Sequence, residues 1–150
     1  MFYVTGHIFR YSNETSYAGT ISSSDGINWS DGALVSTNYT YNTCCCVTNN
    51  GEVLVVGRSD DGQIITTLGS GFDTFDYGSL GIYKNPKKVQ FCNNKYVLLV
   101  ENSSDIYYSS DGVNWTSLSL AKIDANYTTD IDLFTANSKF ILRIKNSSGK

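Results

Sequence analysis

Ser23-Ser24-Asp25-Gly26-Ile27-Asn28-Trp29 returns further along the chain as Ser109-Ser110-Asp111-Gly112-Val113-Asn114-Trp115. The copies lie 86 residues apart, at the aspartate and at the tryptophan alike. Half of that interval is about 43 residues, the length of one four-stranded antiparallel repeat. A worn third copy is therefore expected midway. Ser70-Gly71-Phe72-Asp73-Thr74-Phe75 stands there, keeping the glycine and placing a phenylalanine near the tryptophan position. The glycines fall at 26, 71 and 112, in steps of 45 and 41.

A second marker has the same period. Asn93-Asn94-Lys95 leads into the apolar run Tyr96-Val97-Leu98-Leu99-Val100. Asn49-Asn50-Gly51 leads into Val53-Leu54-Val55-Val56, and Asn137-Ser138-Lys139 into Phe140-Ile141-Leu142-Arg143-Ile144. Phe2-Tyr3-Val4-Thr5 opens the series. Short β-prone runs separated by Asn, Ser, Asp and Gly predict an all-β chain of tight antiparallel hairpins. In the third repeat strands are expected over 89–92, 95–101, 105–109 and 114–120. The whole predicts one β-propeller-like domain over 1–150, with repeats at 1–41, 42–86, 87–130 and a partial 131–150. That makes about three four-stranded blades and part of a fourth, short of the usual four to eight. The expectation is a segment of a larger or oligomeric ring, its edge strands pairing with further protein.

The repeated turn has a mechanical reading. Asp25 and Asp111 can accept hydrogen bonds from their own turn's N–H groups, with serine hydroxyls assisting. Gly26 and Gly112 take positive φ without steric cost. Trp29 and Trp115 are expected to be buried between sheets, at equivalent places. Ser23, Ser70, Gly71 and Ser109 complete the set of structural turn residues, and no metal is assigned to them.

Tyr108-Ser109-Ser110-Asp111-Gly112-Val113-Asn114-Trp115-Thr116 resembles the Asp-box, or BNR-type, repeat of sialidase-like β-propellers. It is most similar to the variant common in bacteriophage tail and bacterial surface proteins. The usual box has one residue between Asp and Gly, and this chain has none. The resemblance implies a fold rather than an activity. It further implies a virion protein, tail- or fibre-associated and assembled in the bacterial cytoplasm. The partners implied are other virion or surface proteins, further copies of the chain, and a cell-surface glycan. The alternatives are a fragment of a sialidase-like glycan hydrolase and an adhesion propeller at the bacterial cell surface.

Bulk properties narrow the classes. The net charge is −3, and the only local concentration of cations is Lys84, Lys87 and Lys88. Duplex nucleic acid requires several phosphate-neutralising cations on one face, so it is not expected as a partner. No apolar run is long enough to span a bilayer as a helix, and no cleavable leader is read at the start. Cys44-Cys45-Cys46 and Cys92 match no zinc spacing; consecutive strand residues point to opposite faces. They read as small, reduced, buried or half-buried strand residues, with a disulfide to Cys92 as the alternative.

The candidate chemistry is thin. Arg10, Arg58 and Arg143 are read with the second-strand apolar runs, which spreads them around a ring instead of converging them on a carboxylate. His7 is the one histidine, and no nucleophile elbow or phosphate loop is present. Asp130 and Asp132 alternate on one strand and read as a solvated face. No enzymatic activity, no cofactor and no sialoside hydrolysis are expected. Most of the eleven tyrosines are expected to pack between blades, and Tyr39, Tyr41, Tyr77, Tyr107 and Tyr127 are the candidate ligand contacts.

Overall fold

The structure is a computed structural model describing residues 2–10, 15–30, 33–36, 41–59, 61–69, 76–120 and 127–146. The described residues form thirteen β-strands and no helix, so the all-β expectation holds. Sheet I contains β1 (Phe2–Arg10), β2 (Thr15–Ser23) and β3 (Ala33–Ser36). Sheet II contains β4 (Tyr41–Val47), β5 (Val53–Arg58), β6 (Ile64–Gly69) and β7 (Asp76–Ser79). Sheet III contains β8 (Pro86–Cys92), β9 (Lys95–Val100), β10 (Asp105–Ser109) and β11 (Thr116–Ser119). Sheet IV pairs β12 (Tyr127–Ala136) with β13 (Lys139–Asn146). Within each sheet, strands adjacent in sequence pair antiparallel.

Two hairpins show how the polar punctuation sets register. Cys92 faces Lys95 across Asn93 and Asn94, whose φ values are 49° and 55°. Ala136 faces Lys139 across Asn137 and Ser138, at 50° and 57°. Positive φ at both central residues gives the two-residue turn whose twist matches the strands, and asparagine tolerates that region well.

The sheets pack in chain order. β1 lies beside β4, β4 beside β8, and β8 beside β12. Leu54, Val56 and Ile64 of sheet II meet Val89, Tyr96, Leu98 and Val100 of sheet III in one buried cluster. The opposite face of sheet III carries Val97, Leu99 and Ile106, which with Leu120 pack against Ile131 and Leu133 of sheet IV. Thus β9 is buried on both faces, which is why its sequence is a continuous apolar run and not an alternating one. Lysines reinforce the second junction. Lys87 Nζ donates to the Ile131 carbonyl at 2.6 Å, and Lys88 Nζ lies 3.2 Å from Asp132 and 4.4 Å from the Phe134 ring centroid.

Several boundaries differ from the sequence reading. β12 begins at Tyr127, in the polar stretch Tyr127-Thr128-Thr129-Asp130 that shows no apolar alternation in the sequence. Its register to β13 shifts between Tyr127 and Ile131. β11 starts only at Thr116, after Trp115. The four cysteines are free and half-buried. Burial, with Cys45 beside it, pushes the Cys44 thiol up to about 12, and burial raises Cys46 as well.

Leu98 is fully buried between sheets II and III, whereas Leu118 is exposed. Leu98→Ala is expected to cost about 2–5 kcal/mol. Leu118→Ala should change stability by no more than about 0.5 kcal/mol. Urea unfolding of both variants followed by circular dichroism measures the contrast.

Candidate functional site

The repeated heptapeptide forms the same turn twice. Asp25 Oδ1 accepts from the backbone N–H groups of Ile27 and Asn28, both at 2.8 Å. Asp111 Oδ1 accepts from those of Val113 and Asn114 at 2.9 and 2.8 Å. The amides of Asn28 and Asn114 each donate to the second carboxylate oxygen at 2.8 Å. Ser23 and Ser109 donate to their aspartates at 2.9 Å, and each hydroxyl accepts the glycine N–H, at 2.8 and 2.9 Å. Gly26 and Gly112 share a φ of 77°. These bonds occupy the carboxylates with the turn itself.

The two tryptophans differ. The indole of Trp115 donates to the Gly112 carbonyl at 3.1 Å, stacks at a tilt 6.3 Å from Tyr96 and packs on the cluster shared with sheet II. The same carbonyl accepts the Thr66 hydroxyl of sheet II at 2.7 Å. Both were expected to be buried; Trp115 is half-buried and Trp29 is exposed. Trp115 has sheet II to pack on, while sheet I is the first in the packing order among the described residues.

Of the remaining turn and tyrosine candidates, Ser70, Gly71 and Tyr39 lie outside the described residues. Tyr41, Tyr77 and Tyr127 sit on β4, β7 and β12, their side chains outside what is described. Tyr107 is half-buried against the cluster between sheets II and III, and burial raises its hydroxyl. That places it in the packing and not on an open recognition face. Asp132, read as a solvated carboxylate, is paired with Lys88 at 3.2 Å and Arg143 at 3.6 Å. No group of three metal-ligating side chains occurs among the described residues.

The side chains that do converge are others. Arg58, Tyr83, Lys84, Asn85, Glu101 and Asn102 line an open pocket of about 220 Å³ where sheets II and III meet. Arg58 ends β5, Glu101 follows β9, and the others lie on the connecting segment and the next turn. That segment is anchored by backbone bonds from Ile64 N to Ile82 O, 2.9 Å, and from Leu80 N to Ile64 O, 3.1 Å. Glu101 N to Asn85 O, 2.8 Å, fixes its other end. Across the pocket Arg58 Nη1 donates to Asn85 Oδ1 at 2.9 Å, and Asn85 Nδ2 donates to Glu101 Oε2 at 2.9 Å. Lys84 Nζ donates to the Asn102 carbonyl at 3.3 Å. Tyr83 is 67% exposed, its ring edge 3.6 Å from where a Cβ on Gly62 would stand.

The arrangement is a guanidinium, an amide and a carboxylate in a bonded row beside an open phenol ring. Guanidinium donates, carboxylate accepts, and amide does both. Such a row suits adjacent hydroxyls, while the ring offers an apolar platform. Sequence reading met Arg58 and Lys84 separately, without their convergence on Tyr83, Asn85 and Glu101. Arg58, Asn85 and Glu101 share no motif spacing and meet only because β5 and β9 end side by side. A further Ser-x-Asp-Gly turn also went unmatched to the heptapeptide: Ser59 donates to Asp61, whose carboxylate accepts from the Gln63 N–H and side-chain amide.

The class defined by the fold is an all-β repeat of consecutive antiparallel sheets. No protein-family model and no curated protein matches the chain. Among solved structures, a fucose lectin from Kordia zhangzhouensis in complex with methyl-fucoside is similar, with a TM-score of 0.49 and 16% identity, covering 77% of this chain and 89% of that one.

The turns carry a pH signature. The Ile27 and Asn28 N–H groups hold the Asp25 carboxyl well below the ordinary carboxylate range. The Asn114 amide, with the Asn114 and Val113 N–H groups, does the same for Asp111. A carboxylate depressed on folding contributes its stability above the unfolded value, about 3.9, and loses it as pH falls toward the folded value. Stability should therefore decline as pH drops below about 4. Asp25→Asn with Asp111→Asn should flatten that decline and lower stability at neutral pH. Asp61 and Asp132 shift the same way, so part of the slope should remain. Urea titrations across a pH series measure it.

Proposed function

We propose that the chain is a non-catalytic carbohydrate-binding module built as a propeller-like repeat, and that its pocket takes one neutral sugar ring. The observation that carries this reading is the bonded row Arg58–Asn85–Glu101 beside the exposed Tyr83 ring. A pocket of about 220 Å³ is below the roughly 300–1,000 Å³ of drug-sized ligand sites, which favours a small ligand with much of its surface in solvent. The propeller assignment is supported by sheets that pack in order with their leading strands side by side. The two superimposable aspartate turns support the Asp-box reading. Placement on a phage particle, or on a bacterial surface, rests on the resemblance of Tyr108 to Thr116 to turns of such proteins.

Saturation-transfer NMR against a panel of monosaccharides tests the proposal. Transfer to at least one neutral sugar is expected. Tyr83→Ala and Glu101→Gln should each weaken binding by about tenfold or more, equivalent to 1.4 kcal/mol, with the fold intact by circular dichroism. No transfer from the folded chain to any sugar, or transfer indifferent to both variants, overturns it. Turnover of a fluorogenic sialoside that is lost on changing Arg58 or Arg143 overturns the non-catalytic assignment.

A further inference from the structure

The outer faces of sheets I and IV carry exposed apolar side chains at register positions that are buried at the junctions inside the chain. The equivalence is positional. Phe2 pairs with Ser23 as Tyr96 pairs with Ser109, and Val4 pairs with Ile21 as Leu98 pairs with Tyr107. The two serines open the two copies of the same turn. Phe2, Val4, Gly26 and Trp29 therefore occupy the places held in sheet III by Tyr96, Leu98, Gly112 and Trp115. In sheet III these positions are covered by sheet II: Tyr96 is 3% exposed and Leu98 0%. In sheet I, Phe2 is 55% exposed, Val4 49% and Trp29 40%. Ile27 adds to the same turn, and the Phe2 ring rests 3.6 Å from the Cβ position of Gly26.

The other half lies at sheet IV. Its two-residue hairpin aligns with that of sheet III, so Lys139, Phe140 and Ile141 correspond to Lys95, Tyr96 and Val97. Phe140 and Leu142 face sheet III, as Tyr96 and Leu98 face sheet II. Val97 is buried by the sheet that follows it, and Ile141 in the same position is exposed. Ile141 pairs directly across the hairpin with Phe134, which is also exposed. One end of the stack thus presents the surface a preceding sheet covers, and the other the surface a following sheet covers.

We propose that these faces dock on each other between copies of this chain, head to tail, the outer face of sheet I on that of sheet IV of a second copy. The junctions between sheets II, III and IV use the register positions of Phe2, Val4, Trp29 and Ile141, and a second copy supplies both matching faces; Arg143, at the place of Leu99, is paired with Asp132 of its own sheet. A heterologous contact of this kind closes into a ring when its rotation permits, and two chains joined twice are the smallest such ring. Exposed apolar faces of this sort are themselves a signature of association.

Sedimentation velocity of the whole chain at micromolar concentration tests the proposal. A species of at least twice the single-chain mass is expected. Val4→Lys, Trp29→Ser and Ile141→Asp should each weaken association by about tenfold or more, while circular dichroism shows each still folded. Mixing Val4→Lys with Ile141→Asp should restore a two-chain species, because one undamaged junction remains between them. Tyr83→Ala should leave association unchanged, which separates this result from the fate of the sugar-binding reading. A wild-type monomer overturns the proposal. So does association lost in Val4→Lys but undiminished in Ile141→Asp, the mark of sheet I pairing with itself or with another protein.

Discussion

A strand that is apolar on both faces must be covered twice. Val53 to Val56 and Tyr96 to Val100 are such strands, buried throughout. No single sheet can satisfy them, and no two-layer sandwich can either, because each layer of a sandwich has a face in water. Sheets placed one after another meet the demand, each lending one face to its predecessor and one to its successor. The pairing of consecutive strands, the short polar hairpins and the junctions between sheets all follow from that requirement.

The aspartate turns belong to the same scheme. A carboxylate that accepts two backbone N–H groups and an amide holds its loop in one shape without a core of its own. With the loop fixed, Gly112 presents its carbonyl to Thr66 and Trp115 lays its ring against Tyr96. A local hydrogen-bond pattern is thereby converted into a contact between sheets. The pocket lined by Arg58 and Glu101 arises the same way. Arg58 ends β5 and Glu101 follows β9, and packing the sheets brings the two together around Asn85.

Much of this architecture is legible in the residues, because its signals are local. Repeat length, hairpin turns and apolar runs depend on neighbours a few positions away. β12 is harder to see, since Tyr127 to Asp130 carry no pattern of their own and the register to β13 shifts between Tyr127 and Ile131. Trp29 and Trp115 sit in nearly the same heptapeptide yet differ in burial, because burial is a property of the adjacent sheet. The pocket was hidden for a related reason. Its polar residues are ordinary loop residues until the sheets align them, and Tyr107, chosen for its chemistry, is drawn into the packing by its place opposite Leu98.

The succession of sheets also shapes how the chain acquires and loses its structure. Each sheet is closed by contacts between strands adjacent in sequence, so its loop-closure entropy is small and its assembly local. Each sheet then gains stability from its immediate neighbours, as in a one-dimensional cooperative array. Sheets II and III, each flanked on both sides, are the places where order is expected to be retained longest. Opening proceeds inward from sheets I and IV, and a substitution at the Thr66–Gly112 link shifts the boundary between two cooperative units without weakening every part of the molecule alike.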